Sequence, residues 1–151
     1  MTMLIGAVRI FLSAFVGTLG FALLLHAPRK AWVPASLIGA TAYALYWVLD
    51  MAAGLSMPLS IFLGALTGSI MAQACARRMR MIATIFITLS IVAMVPGLGL
   101  YRCMALLAQG NNAAGLRNGV EAMTTIMMIA LGLGVGSFLF RVMVGTARRR
   151  H

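Results

Sequence analysis

Acidic residues are almost absent from this chain: Asp50 and Glu121 are the only two among 151, against 12 Lys and Arg. Two cysteines and two histidines complete a short inventory of reactive side chains. His26 borders a basic run and His151 is terminal, so no metal-ligand cluster forms in sequence. No nucleophile–base set and no glycine-rich phosphate loop is present either, which argues against an enzyme and leaves no cofactor to expect. Charge of either sign is scarce at 9%, whereas 62% of residues are hydrophobic and the mean hydropathy is +1.01. A soluble domain could not cover itself with so little polar surface.

What is present is a set of long apolar runs. A helix needs about 20 mainly apolar residues to cross a hydrocarbon core of about 30 Å. The spacing predicts an all-α integral membrane protein of about five transmembrane helices, Met3–Leu25, Ala31–Leu49, Pro58–Ala76, Met81–Ala108 and Val120–Val144. The connections are too short for a separate soluble module, so residues 1–151 read as a single membrane domain. The 16 glycines agree with this, since membrane helices use glycine more than soluble ones do. The first run carries Arg9 within it, and no small-x-small cleavage site precedes Pro28, so a retained helix rather than a signal peptide is expected.

The formal charge of +10 is distributed in a way that argues against nucleic acid. Binders of nucleic acid gather their basic residues on one polar, water-facing surface. Here they collect at segment ends: Arg29 and Lys30, then Arg77, Arg78 and Arg80, then Arg148, Arg149 and Arg150. Five crossings put all three clusters on one side, which the positive-inside rule makes cytoplasmic. The loop after Leu49 has no basic residue and the loop after Ala108 has only Arg117. The expectation is an outside N-terminus and a cytoplasmic C-terminus. Pro34 and Asp50 shorten the clean run of segment two; if that segment failed to cross, the first two clusters would face opposite sides. Cys75 and Cys103 fall near opposite faces, too far apart for a disulfide.

Small residues recur four apart at Gly64/Gly68, Gly132/Gly136 and Ala40/Ala44, spacing that lets helix backbones approach closely where lipid gives no hydrophobic drive. Met123, Met127 and Met128 read as soft gap-fillers. Trp32 and the Tyr43/Tyr46/Trp47 group lie near the two ends of segment two as interfacial anchors, with Tyr43 deep enough to face a cavity. Ser56 before Pro58 reads as a helix start.

Segment four carries the feature with chemistry. Its run Val95-Pro96-Gly97-Leu98-Gly99-Leu100-Tyr101-Arg102 predicts a helix broken near Pro96-Gly97, because proline removes a backbone hydrogen bond and the glycines weaken the next turn. A half-helix N-terminus inside a membrane protein favours anions, and a guanidinium grips a carboxylate with two hydrogen bonds. Pro96, Gly97, Gly99, Tyr101 and Arg102 are therefore candidate substrate contacts; the alternative is a packing kink with Arg102 snorkelling to the headgroups. Glu121, three residues after Asn118, reads as one half of a helix cap or as a proton-coupling carboxylate. An exporter of lipophilic cations would want an acidic residue deep in a helix; lacking one, the chain suits an anionic or zwitterionic substrate.

The same residues resemble the threonine/serine exporter family, specifically its C-terminal membrane domain. Pro28-Arg29-Lys30 with Ile38-Gly39-Ala40 is similar to the family's first loop and second helix. Ala76-Arg77-Arg78 is similar to its basic loop, and Val95-Pro96-Gly97 with Leu100-Tyr101-Arg102 to its most distinctive segment. Ile82 departs from the pattern, standing where a proline would be expected. Nothing here corresponds to the family's preceding half. The resemblance therefore implies the small subunit of a split exporter in a bacterial inner membrane, working with a larger membrane subunit. It implies succinate as substrate in split systems and threonine or serine in fused ones, driven by the proton gradient. A homo-oligomer is a further option for its assembly. The reading from a different class is a non-transporting accessory subunit that stabilises a partner membrane protein.

Overall fold

A computed structural model describes residues 2–52, 54–92 and 94–148; Arg149 and Arg150 of the third basic cluster, and His151, lie outside the described residues. Six helices succeed one another: α1 (Thr2–Leu24), α2 (Arg29–Ala52), α3 (Met57–Met79), α4 (Ala83–Val92), α5 (Gly97–Ala108) and α6 (Asn112–Arg148). Stretches within α1, α2, α3 and α6 are each long and apolar enough to cross a membrane, and α4 and α5 pass that test together as a pair bent by 51°. Segment two is a full-length helix despite Pro34, the sixth residue of the helix, whose ring removes one donor.

Each turn has a local cause. His26 (φ 52°) and Arg80 (φ 53°) adopt the left-handed conformation that ends helices. Ala27 N–H donates to Ala22 O at 3.0 Å, Met81 N–H to Ala76 O at 2.9 Å, and Trp32 Nε1 ties the first turn by donating to Ala27 O at 2.7 Å. Ser56 precedes α3 with Pro58 in its first turn, as expected, although the serine hydroxyl caps nothing.

The fifth segment differs from the sequence expectation at its start. Gly110 (φ 78°) closes α5, and Asn111 Oδ1 at once accepts from Ala114 N–H at 3.3 Å, so α6 begins at Asn112. Asn111 is thus the capping residue. Asn118 instead lies within the helix, its Nδ2 donating to Ala114 O at 2.9 Å, which corrects the reading of Asn118 and Glu121 as a cap. Arg117 is likewise helical rather than in a loop.

Packing is built on small side chains. Ala22, Ala31, Ala35, Ala72 and Ala76 form one core cluster with Ile38, Phe86 and Leu89; Trp32, Met79, Met81 and Ala83 pack against it. The first turn of α2, with Arg29 and Lys30, and the last turn of α3, with Arg77 and Arg78 and then Arg80 beyond it, thereby adjoin at one end of the bundle, helical rather than in loops. A second cluster holds Ala42, Ile61, Ala65, Met94 and Ile129, with Tyr43 and Tyr46 against it.

Gly64 and Gly68 receive α2: a Cβ added at Gly64 would lie 3.0 Å from Ala42 O. Gly132 and Gly136 bring α6 onto α3, where added Cβ atoms would lie 2.6 Å from Phe62 O and 2.9 Å from Leu66 O. Ser69 Oγ fastens the same seam, contacting Leu133 O and Ser137 Oγ at 3.2 Å each. The two Cys residues are free, as expected from their separation.

The glycine register gives the direction of the chain. Gly132 meets Phe62, Ala65 and Leu66, whereas Gly136 meets Leu66 and Ser69, so α3 and α6 run parallel. The intervening α4–α5 pair therefore carries the chain from one end of the bundle to the other, and is a broken span rather than a re-entrant loop. The described basic helix ends and the C-terminal end of α6 share one end. The same register sets Met57 level with about Thr125, leaving the first dozen or so residues of α6 to reach roughly 20 Å past the start of α3.

Gly132→Ala and Gly136→Ala should each destabilise the bundle by about 1–3 kcal/mol through overpacking. Gly134 has nothing within 4 Å of an added Cβ, and Gly134→Ala should leave stability unchanged or slightly raised. Size-exclusion chromatography of the detergent-solubilised protein after graded heating reads both outcomes.

Candidate functional site

Pro96 (φ −78°, ψ 56°) stands at the N-cap of α5. Proline offers no N–H, so the ladder of α4 cannot continue through it, and α5 starts afresh at an angle. The first amides of a helix have no acceptor within it. Gly97 N–H turns back to Val95 O at 2.8 Å and Leu100 N–H reaches Pro96 O at 3.1 Å. Among the described residues, no acceptor pairs with the amides of Leu98 and Gly99. These two donors, with the positive end of the α5 dipole behind them, form the anion-favouring element at the break.

That helix start opens on a cavity of about 230 Å³ lined by Tyr43, Tyr46, Met57, Met94, Pro96 and Thr125, among others. The two tyrosine rings meet edge to face, their centroids 5.6 Å apart. Tyr43 also lines a cavity of about 240 Å³ with Ser13, Gly17, Thr18 and Val92, so it borders both. The deeper position read for Tyr43 from sequence is thus occupied by a cavity-lining side chain. Buried Thr125 spends its hydroxyl hydrogen on Glu121 O at 3.0 Å, which leaves its oxygen lone pairs as acceptors.

A larger cavity, about 570 Å³, lies where α6 overhangs the start of α3. Its walls are Met57, Pro58, Ile61, Leu116 and Val120, with Arg117, Glu121, Thr124 and Thr125 supplying the polar groups. Met57, Ile61 and Thr125 line this cavity and the one at the break alike, so the two share a wall.

The expected site residues divide between these surroundings. Pro96 and Gly97 line the cavity at the break. Gly99 faces α6, where an added Cβ would meet Ala122 Cβ at 3.6 Å. Tyr101 is 69% exposed and Arg102 is exposed too; neither lines a described cavity. Glu121 lines the larger cavity. Sequence reasoning missed Arg117 and Thr124 as its companions. Their signal was helical spacing on the face of Glu121, obscured by starting the segment at Val120. Met57, Ile61 and Thr125 carried no signal beyond apolar patterning.

A family model described as Threonine/Serine exporter, ThrE, matches residues 10–139, from the first part of α1 to the last third of α6. No curated protein and no solved structure matches the chain.

If Pro96 imposes the bend, Pro96→Ala should restore a donor for the carbonyl of Val92 and straighten the pair. Spin labels at Thr84 and Ala108, both exposed, should then separate by roughly 3 Å more in double electron–electron resonance, as expected from unbending about 36 Å of helix. An unchanged distance would assign the bend to packing instead.

Proposed function

The chain belongs to the threonine/serine exporter family and is a membrane transport protein of that type; on that premise we propose that it is the small subunit of a secondary transporter exporting a small carboxylate or amino acid, succinate or threonine and serine. The observation that carries the proposal is the free start of α5, where Pro96, Gly97 and Leu98 line the cavity of Tyr43 and Tyr46 and the amides of Leu98 and Gly99 have no acceptor among the described residues. Such broken helices recur where transporters hold carboxylates. Pro96 and Gly97 form the cavity's edge, and Gly99 sets α5 close to α6.

We assign the larger membrane subunit to the open side of α5. This helix buries none of its residues within the chain, and Met104 is 73% exposed. Arg102 and Tyr101 then complete the substrate path from the side that the partner closes. Glu121 lines one of the two adjoining cavities and is the proposed acceptor of the coupling proton. The basic helix ends gathered at one end of the bundle support a cytoplasmic placement of that end in a bacterial inner membrane.

The same exposed α5 favours one other reading, an accessory subunit that stabilises its partner without touching solute. Export of labelled threonine, serine and succinate from cells lacking the chain, restored with wild type or Arg102→Ala, separates the two. Under the transporter reading Arg102→Ala assembles normally and lowers export roughly tenfold or more, the effect of losing a charged hydrogen bond of about 1.5–3 kcal/mol. Loss of complex in proportion to loss of export would assign Arg102 to assembly.

A further inference from the structure

Arg117 and Glu121 are one helical turn apart and line the same cavity. At that spacing their Cβ atoms are about 5–6 Å apart. Among the described residues neither makes an ion pair or a side-chain hydrogen bond. Both are exposed, and so reachable from outside the bundle. The cavity's volume of about 570 Å³ falls within the roughly 300–1,000 Å³ of small-ligand pockets.

Resting on the exporter reading, we infer that this cavity is a selectivity site for a zwitterionic α-amino acid over a dicarboxylate. Arg117 takes the substrate carboxylate, for which a guanidinium offers paired donors. Glu121 takes the ammonium. An ammonium has three N–H donors to place, and Thr124 and Thr125, on the same wall, supply further acceptors. Their hydroxyl hydrogens are spent on Val120 O at 2.8 Å and Glu121 O at 3.0 Å, leaving only lone pairs for a ligand.

A dicarboxylate satisfies Arg117 but sets its second negative charge against Glu121. The described chain has one other carboxylate, Asp50, and it lines none of the described cavities. Discrimination therefore falls to Glu121, and the same carboxylate is free for a proton once substrate has left. Three strands of geometry converge here: opposite charges at one-turn spacing, no protein partner for either, and acceptor-only hydroxyls between them and the break.

The test uses everted membrane vesicles from cells lacking the chain and restored with each variant, with protein amount matched by immunoblot. Accumulation of labelled serine and succinate is measured. Glu121→Gln should lower the ratio of serine to succinate accumulation at least tenfold, whatever it does to the coupled rate of either, whereas Arg117→Gln should lower both. In unmutated protein, excess threonine should compete with labelled serine, and neither glycerate nor serinamide, each lacking one charge, should do so. Serine transport with a serine-to-succinate ratio unchanged by Glu121→Gln, or competition by glycerate equal to that by threonine, overturns the inference and leaves the exporter reading standing. Transport of succinate alone by the unmutated protein also overturns it. Accumulation of neither solute above vesicles lacking the chain overturns the exporter reading itself.

Discussion

The approach of α6 to α3 at Gly132 and Gly136 is the contact on which the remaining structure depends. In a bilayer, lipid is as apolar as leucine, so helices gain little by hiding apolar side chains from it. What holds them is close van der Waals contact and hydrogen bonds across the seam. The glycines remove the side chains that would separate the backbones, and Ser69 reaches Leu133 O and Ser137 across the gap. Gly64 and Gly68, on another face of α3, seat α2 in the same way. Helix α3 is thus gripped from two sides, and its start fixes the shared wall of the two cavities through Met57 and Ile61.

The broken span is the complement of that tight core. Where α4 stops, Met94 still packs among Ile61, Ala65 and Ile129, but α5 leaves the core and rests on α6 through Gly99, Cys103 and Leu107. As at any helix start, the first amides of α5 have no acceptor within the helix, and among the described residues those of Leu98 and Gly99 find none elsewhere. Unsatisfied donors are costly in an apolar surrounding. That Pro96, Gly97 and Leu98 line a cavity at this break is the physical reason to read the bend as a binding element.

Much of this was legible in the sequence because membrane helices announce themselves by length and hydropathy. Five crossings, the break at Pro96 and the glycine pairs at 64/68 and 132/136 all arise from residue type and spacing. The start of α6 did not, because Asn112–Gly119 is too polar to score as a span and its helix is set by the turn at Gly110 and the Asn111 cap. That one boundary hid Arg117 and gave Glu121 a capping role it does not have. Nor could spacing alone tell which face of α5 looks inward: Gly99 packs against α6, while Tyr101 and Arg102 stand exposed.

The parallel register of α3 and α6 has a consequence for gene architecture. A bundle traversed an odd number of times delivers its two termini to opposite ends, with the start of α1 far from the basic end. Any polypeptide joined ahead of Thr2 must hand the chain over at that distant end. An added segment that begins beside the basic end must therefore cross an odd number of times before it reaches α1. Any addition ahead of α1 is constrained by parity, whatever its sequence.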